Sequence, residues 1–370
     1  MPVPPAKLIV ATSEQNADLL WATGFFVPDP CIFIQKGRRK YLMLSDLEFA
    51  RAQKEARVDQ VISYDELRGT KKRTRFIDIL DAALKRLKVR RLEVPSDFSL
   101  ELADQLRRRK YRVRVGAEPF YPERAVKRKD EVDAIRKAIR ATQYAIKQAI
   151  FTLQQSHIRK GRLYWRGKVL TSERLKQIIN LTLMERGYVA RHTIVAGGRQ
   201  AADPHCTGFG PLKPHQAIVM DVFPRCEKTG YHADITRTVC KGLAPDKLKE
   251  MYRAVQAAQS AAIKKIRHNV DASLVHQAAA DVLEKRGWKT ERVNGTPQGF
   301  IHSTGHGLGL EIHEYPRVSQ LKNKLKAGNV VTAEPGLYYP DIGGIRIEDD
   351  VLVTKSGCEV LSRLSKRFEI

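Results

Sequence analysis

Ala217-Ile-Val-Met-Asp221 and Asn329-Val-Val-Thr-Ala-Glu334 are two short apolar runs, each ending in an acid. Runs of this length bounded by turn residues read as buried strands. Each leads through a turn to a second strand with its own acid: Asp234 after the first, Glu348 beyond Gly343-Gly344 after the second. Both segments read as β-hairpins that aim a carboxylate from each arm at one point. Their likeness points to an internal two-fold relation between the halves of this region.

Four histidines, His205, His302, His306 and His313, gather in the same part of the chain. Asp221, Asp234, His306, Glu334 and Glu348 together offer four carboxylates and one imidazole. Oxygen-rich donor sets with one nitrogen suit hard to borderline divalent ions, and so many anionic ligands suit two of them. Two such ions can share a bridging carboxylate and acidify a shared water towards neutrality. Any one of these acids alone would more simply pair with a basic residue such as Arg237 or Arg346. As a set flanked by glycines and histidines, they favour the metal reading.

Outward from the hairpins the pattern turns helical. A long amphipathic helix starts near Lys129-Asp130-Glu131, with Val132, Ile135, Ala138, Ile139, Thr142 and Ile146 on one face and acids in its first turn. Helices also fit 172–185, 247–265 and 273–285, the last closed by Gly287. Before residue 120 the chain alternates strands (7–10, 31–35, 40–44, 60–63, 91–94, 111–115) with helices (16–22, 46–56, 76–87, 99–109). Such alternation makes an α/β layer structure. Two prolines in Glu118-Pro-Phe-Tyr-Pro-Glu123 interrupt both periodicities, so domains 1–123 and 124–370 are expected.

The 370 residues are 42% hydrophobic and 29% charged, which excludes a collagen-like or largely disordered chain and leaves room for two real cores. Five scattered cysteines form no CxxC pair, against a disulfide framework or a zinc knuckle. No apolar run approaches a membrane helix, and Met1-Pro-Val-Pro-Pro-Ala-Lys7 lacks the pattern of a signal peptide, so a cytoplasmic location is expected. The net charge is +25, with 24 basic and 17 acidic residues in 1–123 and 42 and 24 in 124–370, so the excess belongs to the body of the chain. The basic residues show no interleaved aromatic stacking pattern, and only weak, non-specific contact with nucleic acid is expected. The runs Lys71-Lys-Arg73 and Arg107-Arg-Arg-Lys110 read as solvated faces. No G-x-S-x-G elbow occurs, and Gly305-His-Gly-Leu-Gly309 lacks the strand-to-helix context of a phosphate loop.

The motifs His232-Ala-Asp234-Ile-Thr-Arg-Thr238, Ser303-Thr-Gly-His306-Gly-Leu-Gly-Leu-Glu-Ile-His313-Glu-Tyr-Pro316, Thr332-Ala-Glu334-Pro-Gly336 and Gly344-Ile-Arg346-Ile-Glu348-Asp349 follow Asp221 in order. Together they resemble the dinuclear metallopeptidases of the pita-bread fold, nearest the Xaa-Pro aminopeptidase and prolidase branch. The resemblance covers residues from about 124 to 355. It implies an α+β pita-bread catalytic domain behind a creatinase-like α/β domain. Asp221, Asp234, His306, Glu334 and Glu348 would hold two divalent ions, manganese first, cobalt or zinc otherwise. Glu334 would also exchange a proton with the attacking water. His205 would contact the scissile amide, His313 would stabilise the tetrahedral intermediate, and His302 would sit in the pocket near that bond. Arg346 would hold the bridging acids. The family's usual spacing between the two aspartates is two residues shorter than here. An even insertion in the hairpin tip leaves side-chain facing unchanged.

The resemblance implies hydrolysis of the bond between an N-terminal residue and a following proline, in a homodimer that takes a peptide substrate. The nearest rival is a dipeptidase restricted to Xaa-Pro. Arg317, four residues beyond His313, is placed to grip a dipeptide carboxylate, since a guanidinium binds that group two-pronged. More distant rivals are a catalytically silent relative holding nucleic acid through its basic surface and a metal-free amidinohydrolase. Five intact ligand positions argue against both.

Overall fold

The computed structural model describes residues 4–70 and 74–370, so the basic run at 71–73 lies outside the described residues. The chain divides into two compact units, Met1–Pro122 and Glu123–Ile370.

The first unit is built on a six-stranded mixed sheet in the order Gln60–Ser63, Arg39–Leu44, Cys31–Lys36, Ala6–Ala11, Arg91–Val94, Arg112–Val115. Ala6–Ala11 runs antiparallel to Cys31–Lys36 and parallel to Arg91–Val94. Residues 31–34 are apolar without alternation because both faces are covered. Ile32 and Ile34 pack in one cluster with Leu80 and Leu84 of the helix Phe76–Arg86, whereas Cys31 and Phe33 pack in another with Leu19 and Phe25. Asn16 caps Ala17–Thr23 by accepting from the Leu19 amide at 2.8 Å. Gly24, at φ 62°, closes that helix where a side chain would be strained. The strands and helices expected from periodicity are present. The helix Tyr64–Arg68, capped by Ser63, was not expected because five residues carry too little periodicity.

The second unit repeats one plan twice. Helices Lys129–Gln154 and Ser172–Met184 share a core with the sheet Ile194–Gly197, Ile218–Val222, Ile235–Val239. Helices Asp246–Lys265 and Ala272–Lys285 share a second core with the strands Val330–Ala333 and Asp349–Val353. The first hairpin pairs Ile218–Val222 with Ile235–Val239, Asp221 opposite Thr236. Two details differ from expectation. Asp234 and Glu348 are not on strands but immediately precede Ile235–Val239 and Asp349–Val353. The second hairpin is also two ladders in one register: Ala333 faces Asp349, Gly336 faces Arg346, and the break falls at residues 334–335 and 347–348. Pro335 has no amide to donate to a ladder, which explains the gap. The gap frees Glu334 and Glu348 to sit opposite each other. Among the described residues no helix is long and apolar enough to cross a membrane.

Candidate active site

The register of the first hairpin puts Asp221 and Asp234 on the same face, because Asp234 lies two residues before Thr236, the partner of Asp221. The longer tip forms its own small ladder, Arg225–Cys226 against Tyr188–Val189. Thr236 joins the two hairpins: its hydroxyl donates to Glu348 Oε2 at 2.8 Å and its carbonyl accepts from the Glu348 amide at 3.1 Å. The Asp234 amide, outside the ladder, donates instead to Asp350 Oδ2 at 3.1 Å.

His306 enters on the short strand Gly305–Gly307. Its glycine neighbours are required by close approach: a Cβ on Gly305 would collide with the Thr332 carbonyl, and one on Gly307 with the Tyr315 carbonyl. His306 Nδ1 lies 3.1 Å from the Gly307 carbonyl and donates to it, which leaves Nε2 facing inward. Nε2 is 3.2 Å from Glu334 Oε1 and 3.6 Å from Asp234 Oδ2. One ligand atom each from Asp234, His306 and Glu348 lies within 4.8 Å of the others, and all three residues are buried.

Like charges and burial dominate the electrostatics. Burial first, then the neighbouring carboxylates, drive Asp234 and Glu348 well above the ordinary carboxylate range. Burial pushes Glu334 the same way, but the His306 hydrogen bond and charge, with His302 and Arg346, prevail and bring it down. Asp221 Oδ1, Asp234 Oδ1 and Glu348 Oε1 are buried without a hydrogen-bond partner. Buried polar atoms are almost always satisfied, so these three orphaned carboxylate oxygens, two of them on Asp234 and Glu348 of the cluster with His306, call for cations. The donor set fits divalent ions.

Arg346 brings a fixed positive charge to these acids. Its guanidinium donates to Asp221 Oδ2 and to the Tyr338 hydroxyl, each at 2.7 Å, and to Thr236 Oγ1 at 3.3 Å. The Tyr338 oxygen therefore accepts from Arg346, and its one hydrogen is left for His302 Nε2 at 2.9 Å. His302 Nδ1 then donates to the Ser303 carbonyl at 2.7 Å. Both ring nitrogens are engaged and, with burial, the ring is held neutral. The ring thus lies in the pocket with both nitrogens held by the protein itself.

The rim carries the other three expected residues. The His313 ring meets His306 edge-on at 4.3 Å, and partial burial, then the His306 charge, lower its pKa. His205 is exposed, its amide donating to Asp203 Oδ1 at 3.0 Å, and its charge reaches His302 and His313. Arg317 is exposed and near enough for its charge to act on His313, with no ion-pair partner among the described residues. Beside His302 opens a cavity of about 640 Å³ floored by Phe300 and His276.

The model of metallopeptidase family M24 matches residues 133–355. The chain belongs to that family. It is 32% identical over 247 residues to the Xaa-Pro dipeptidase of Pyrococcus furiosus, a match spanning 66% of this chain and 65% of the relative. Among solved structures it is similar to the X-Pro aminopeptidase of Thermotoga maritima, with a TM-score of 0.83, 27% identity and 99% and 97% of the two chains covered. The prolidase of P. furiosus follows with a TM-score of 0.80 and 25% identity, covering 97% and 96%. The chain is thus an M24 metallopeptidase with the pita-bread fold, and the family implies divalent metal ions.

Three further residues support this M24 centre. Arg237, expected as a possible partner of the site acids, pairs instead with Asp349 at 2.7 Å and donates to the Glu348 carbonyl. Gln259, buried on Asp246–Lys265, donates to the Ala333 and Ile347 carbonyls at 3.0 and 3.1 Å, clasping both sides of the ladder gap. Asp350, driven by burial up to about 8, holds the Asp234 amide. Of Gln259 and Asp350, only Asp350 has a sequence signal, the acid repeat Glu348-Asp349-Asp350.

Proposed function

We propose that the protein hydrolyses the peptide bond between an N-terminal residue and a following proline, with Asp221, Asp234, His306, Glu334 and Glu348 holding two divalent cations. The observation that carries this reading is the set of three orphaned carboxylate oxygens beside the inward-turned His306 Nε2. Bound cations supply an acidified water and a polarised carbonyl. Glu334, hydrogen-bonded to His306 and open on one side at 15% side-chain exposure, takes up and returns the proton. His313 and His205 on the rim donate hydrogen bonds to the scissile amide. Arg346 keeps Asp221 oriented, and Tyr338 keeps the His302 ring as a wall of the pocket. Proline makes that bond a tertiary amide without an N–H, so recognition there is by shape, for which Phe300 and His302 are suited. The first unit is the creatinase-like domain of this branch, and manganese is the metal favoured.

Two chain lengths of substrate remain in play. The cavity beside His302 leaves room for residues past the proline and favours the aminopeptidase. The free guanidinium of Arg317 near His313, with the dipeptidase names among the relatives, favours Xaa-Pro alone. Rates on Xaa-Pro dipeptides and Xaa-Pro-Yaa tripeptides, measured after chelation with manganese, cobalt or zinc restored, test both. Hydrolysis of neither substrate with any metal would overturn the reading.

A further inference from the structure

The net charge of +25 is not used by the peptidase site, and the basic runs at 71–73 and 107–110 have no aromatic residue within them. The fold supplies one in space. The start of helix Asp246–Lys265 and the end of helix Ala272–Lys285 bound a cavity of about 360 Å³ lined by Lys247, Glu250, Arg253, Arg286, Gly287 and Trp288. That volume lies within the range of small-ligand pockets. Three cations meet one carboxylate there, and none of the three has an ion pair among the described residues, although acids lie nearby. Asp246 and Glu369 are instead engaged by Lys249, and Glu369 also accepts from the Ala244 amide. Glu369 reaches Arg253 only through its charge.

The aromatic member is firmly seated. The half-buried Trp288 indole packs against Tyr339 with centroids 5.4 Å apart, and Lys247 Nζ lies 5.9 Å from the Trp288 ring centroid. The Tyr339 hydroxyl donates to the Lys289 carbonyl at 2.6 Å, tying this shelf to the chain that carries Trp288. Gly287, in the left-handed region at φ +83°, has nothing within 4 Å of a notional Cβ, so the cavity edge beside the indole is open. A flat apolar ring beside unpaired guanidinium groups matches one chemistry above others: an aromatic ring bearing a phosphate. Guanidinium forks bind phosphate oxygens two-pronged, and rings stack on indole faces.

We propose that this cavity binds a nucleotide, its base on Trp288 and its phosphate on Arg253 and Arg286, as a site separate from the metal centre. The ligand's source is either a free nucleotide or one unit of a single-stranded polynucleotide.

Trp288 is one of three tryptophans, so its fluorescence reports on the site. The full chain is titrated with adenosine 5′-monophosphate, with inorganic phosphate, with adenosine and with an octameric oligoadenylate. Saturable quenching by the monophosphate is expected, absent in Trp288→Phe and weakened about 10- to 100-fold in Arg253→Glu and in Arg286→Glu, the range of a lost charge-assisted hydrogen bond. Thermal melts confirm that the variants fold. A tighter response to the oligonucleotide identifies the polymer as the source, and an equal one the free nucleotide. Adenosine binding as well as its monophosphate, phosphate binding as well, unchanged affinity in the arginine variants, or no saturable quenching would each overturn the proposal.

Discussion

Replacing Arg346 with methionine tests the electrostatic frame of the metal centre without touching a proposed ligand. Arg346 is buried, and its guanidinium is the partner of Asp221 Oδ2 at 2.7 Å, while Asp221 Oδ1 already has none. Methionine fills much of the same volume but leaves that carboxylate wholly unpaired. Breaking a buried pair from one side costs about 3–5 kcal/mol. For a unit of this size each kcal/mol moves Tm by about 2–4 °C, so Arg346→Met should melt about 6–20 °C lower. Melting is followed by circular dichroism with a chelator present, so that bound metal does not mask the loss. Tyr338→Phe removes only the hydroxyl that accepts from Arg346 and donates to His302. Its cost should be about 1–3 kcal/mol, that of leaving buried groups unsatisfied. Because the two variants break one shared bond, the double variant should lose less than their sum, by about 0.5–3 kcal/mol. A melt within 2 °C of wild type for Arg346→Met, or strict additivity in the cycle, would refute the hydrogen-bond chain from Asp221 to His302.

Chelation should abolish hydrolysis and divalent metal restore it, and Glu334→Ala should lose about two orders of magnitude, since a ligand and a proton carrier go together; full activity in protein shown metal-free by elemental analysis would contradict both. Arg317→Ala should raise KM for Xaa-Pro several-fold while sparing Xaa-Pro-Yaa if the guanidinium reads the dipeptide carboxylate, and steady-state kinetics on both substrates decide it. Gly344→Ala should sharply reduce soluble yield or Tm, because its Cβ would collide with the Ala201 carbonyl, whereas Gly197→Ala meets only the flexible Leu212 Cδ2 at 3.2 Å and should be mild. In the first unit, burial raises the Asp81 carboxyl, but Lys85, Tyr111 and Arg109 outweigh it and hold the pKa below the ordinary value. A depressed carboxyl stabilises above the unfolded pKa and loses that contribution as pH falls through the folded one. The deficit of Asp81→Asn in urea melts should therefore be full at pH 7 and shrink below about pH 4.

What the sequence made legible was whatever local pattern or residue type determines. The runs at 217–221 and 329–334 are largely apolar up to the acid that ends each, Asp221 and Glu334, so they read as buried strands, and Asp234 and Glu348 follow them across a turn. The helices at 129, 172, 246 and 272 were readable because a 3.6-residue period sustained over many residues has no competing explanation. The break in the second hairpin was less so. Pro335 signals it, yet only the continued register across residues 334–335 and 347–348 shows that the gap sets Glu334 opposite Glu348. The same holds for hydrogen-bond direction. His302 reads from the sequence only as a pocket residue, and nothing there shows that Tyr338, 36 residues away, spends its only hydrogen on the ring because Arg346 can never accept one. Gln259 illustrates the limit most sharply. An amide on an amphipathic helix ordinarily faces water, and nothing in its neighbours marks it as the donor that satisfies two carbonyls exposed by a proline 76 residues later. Such a residue follows from the backbone groups left unpaired by the gap, and those exist only once the two strands have met.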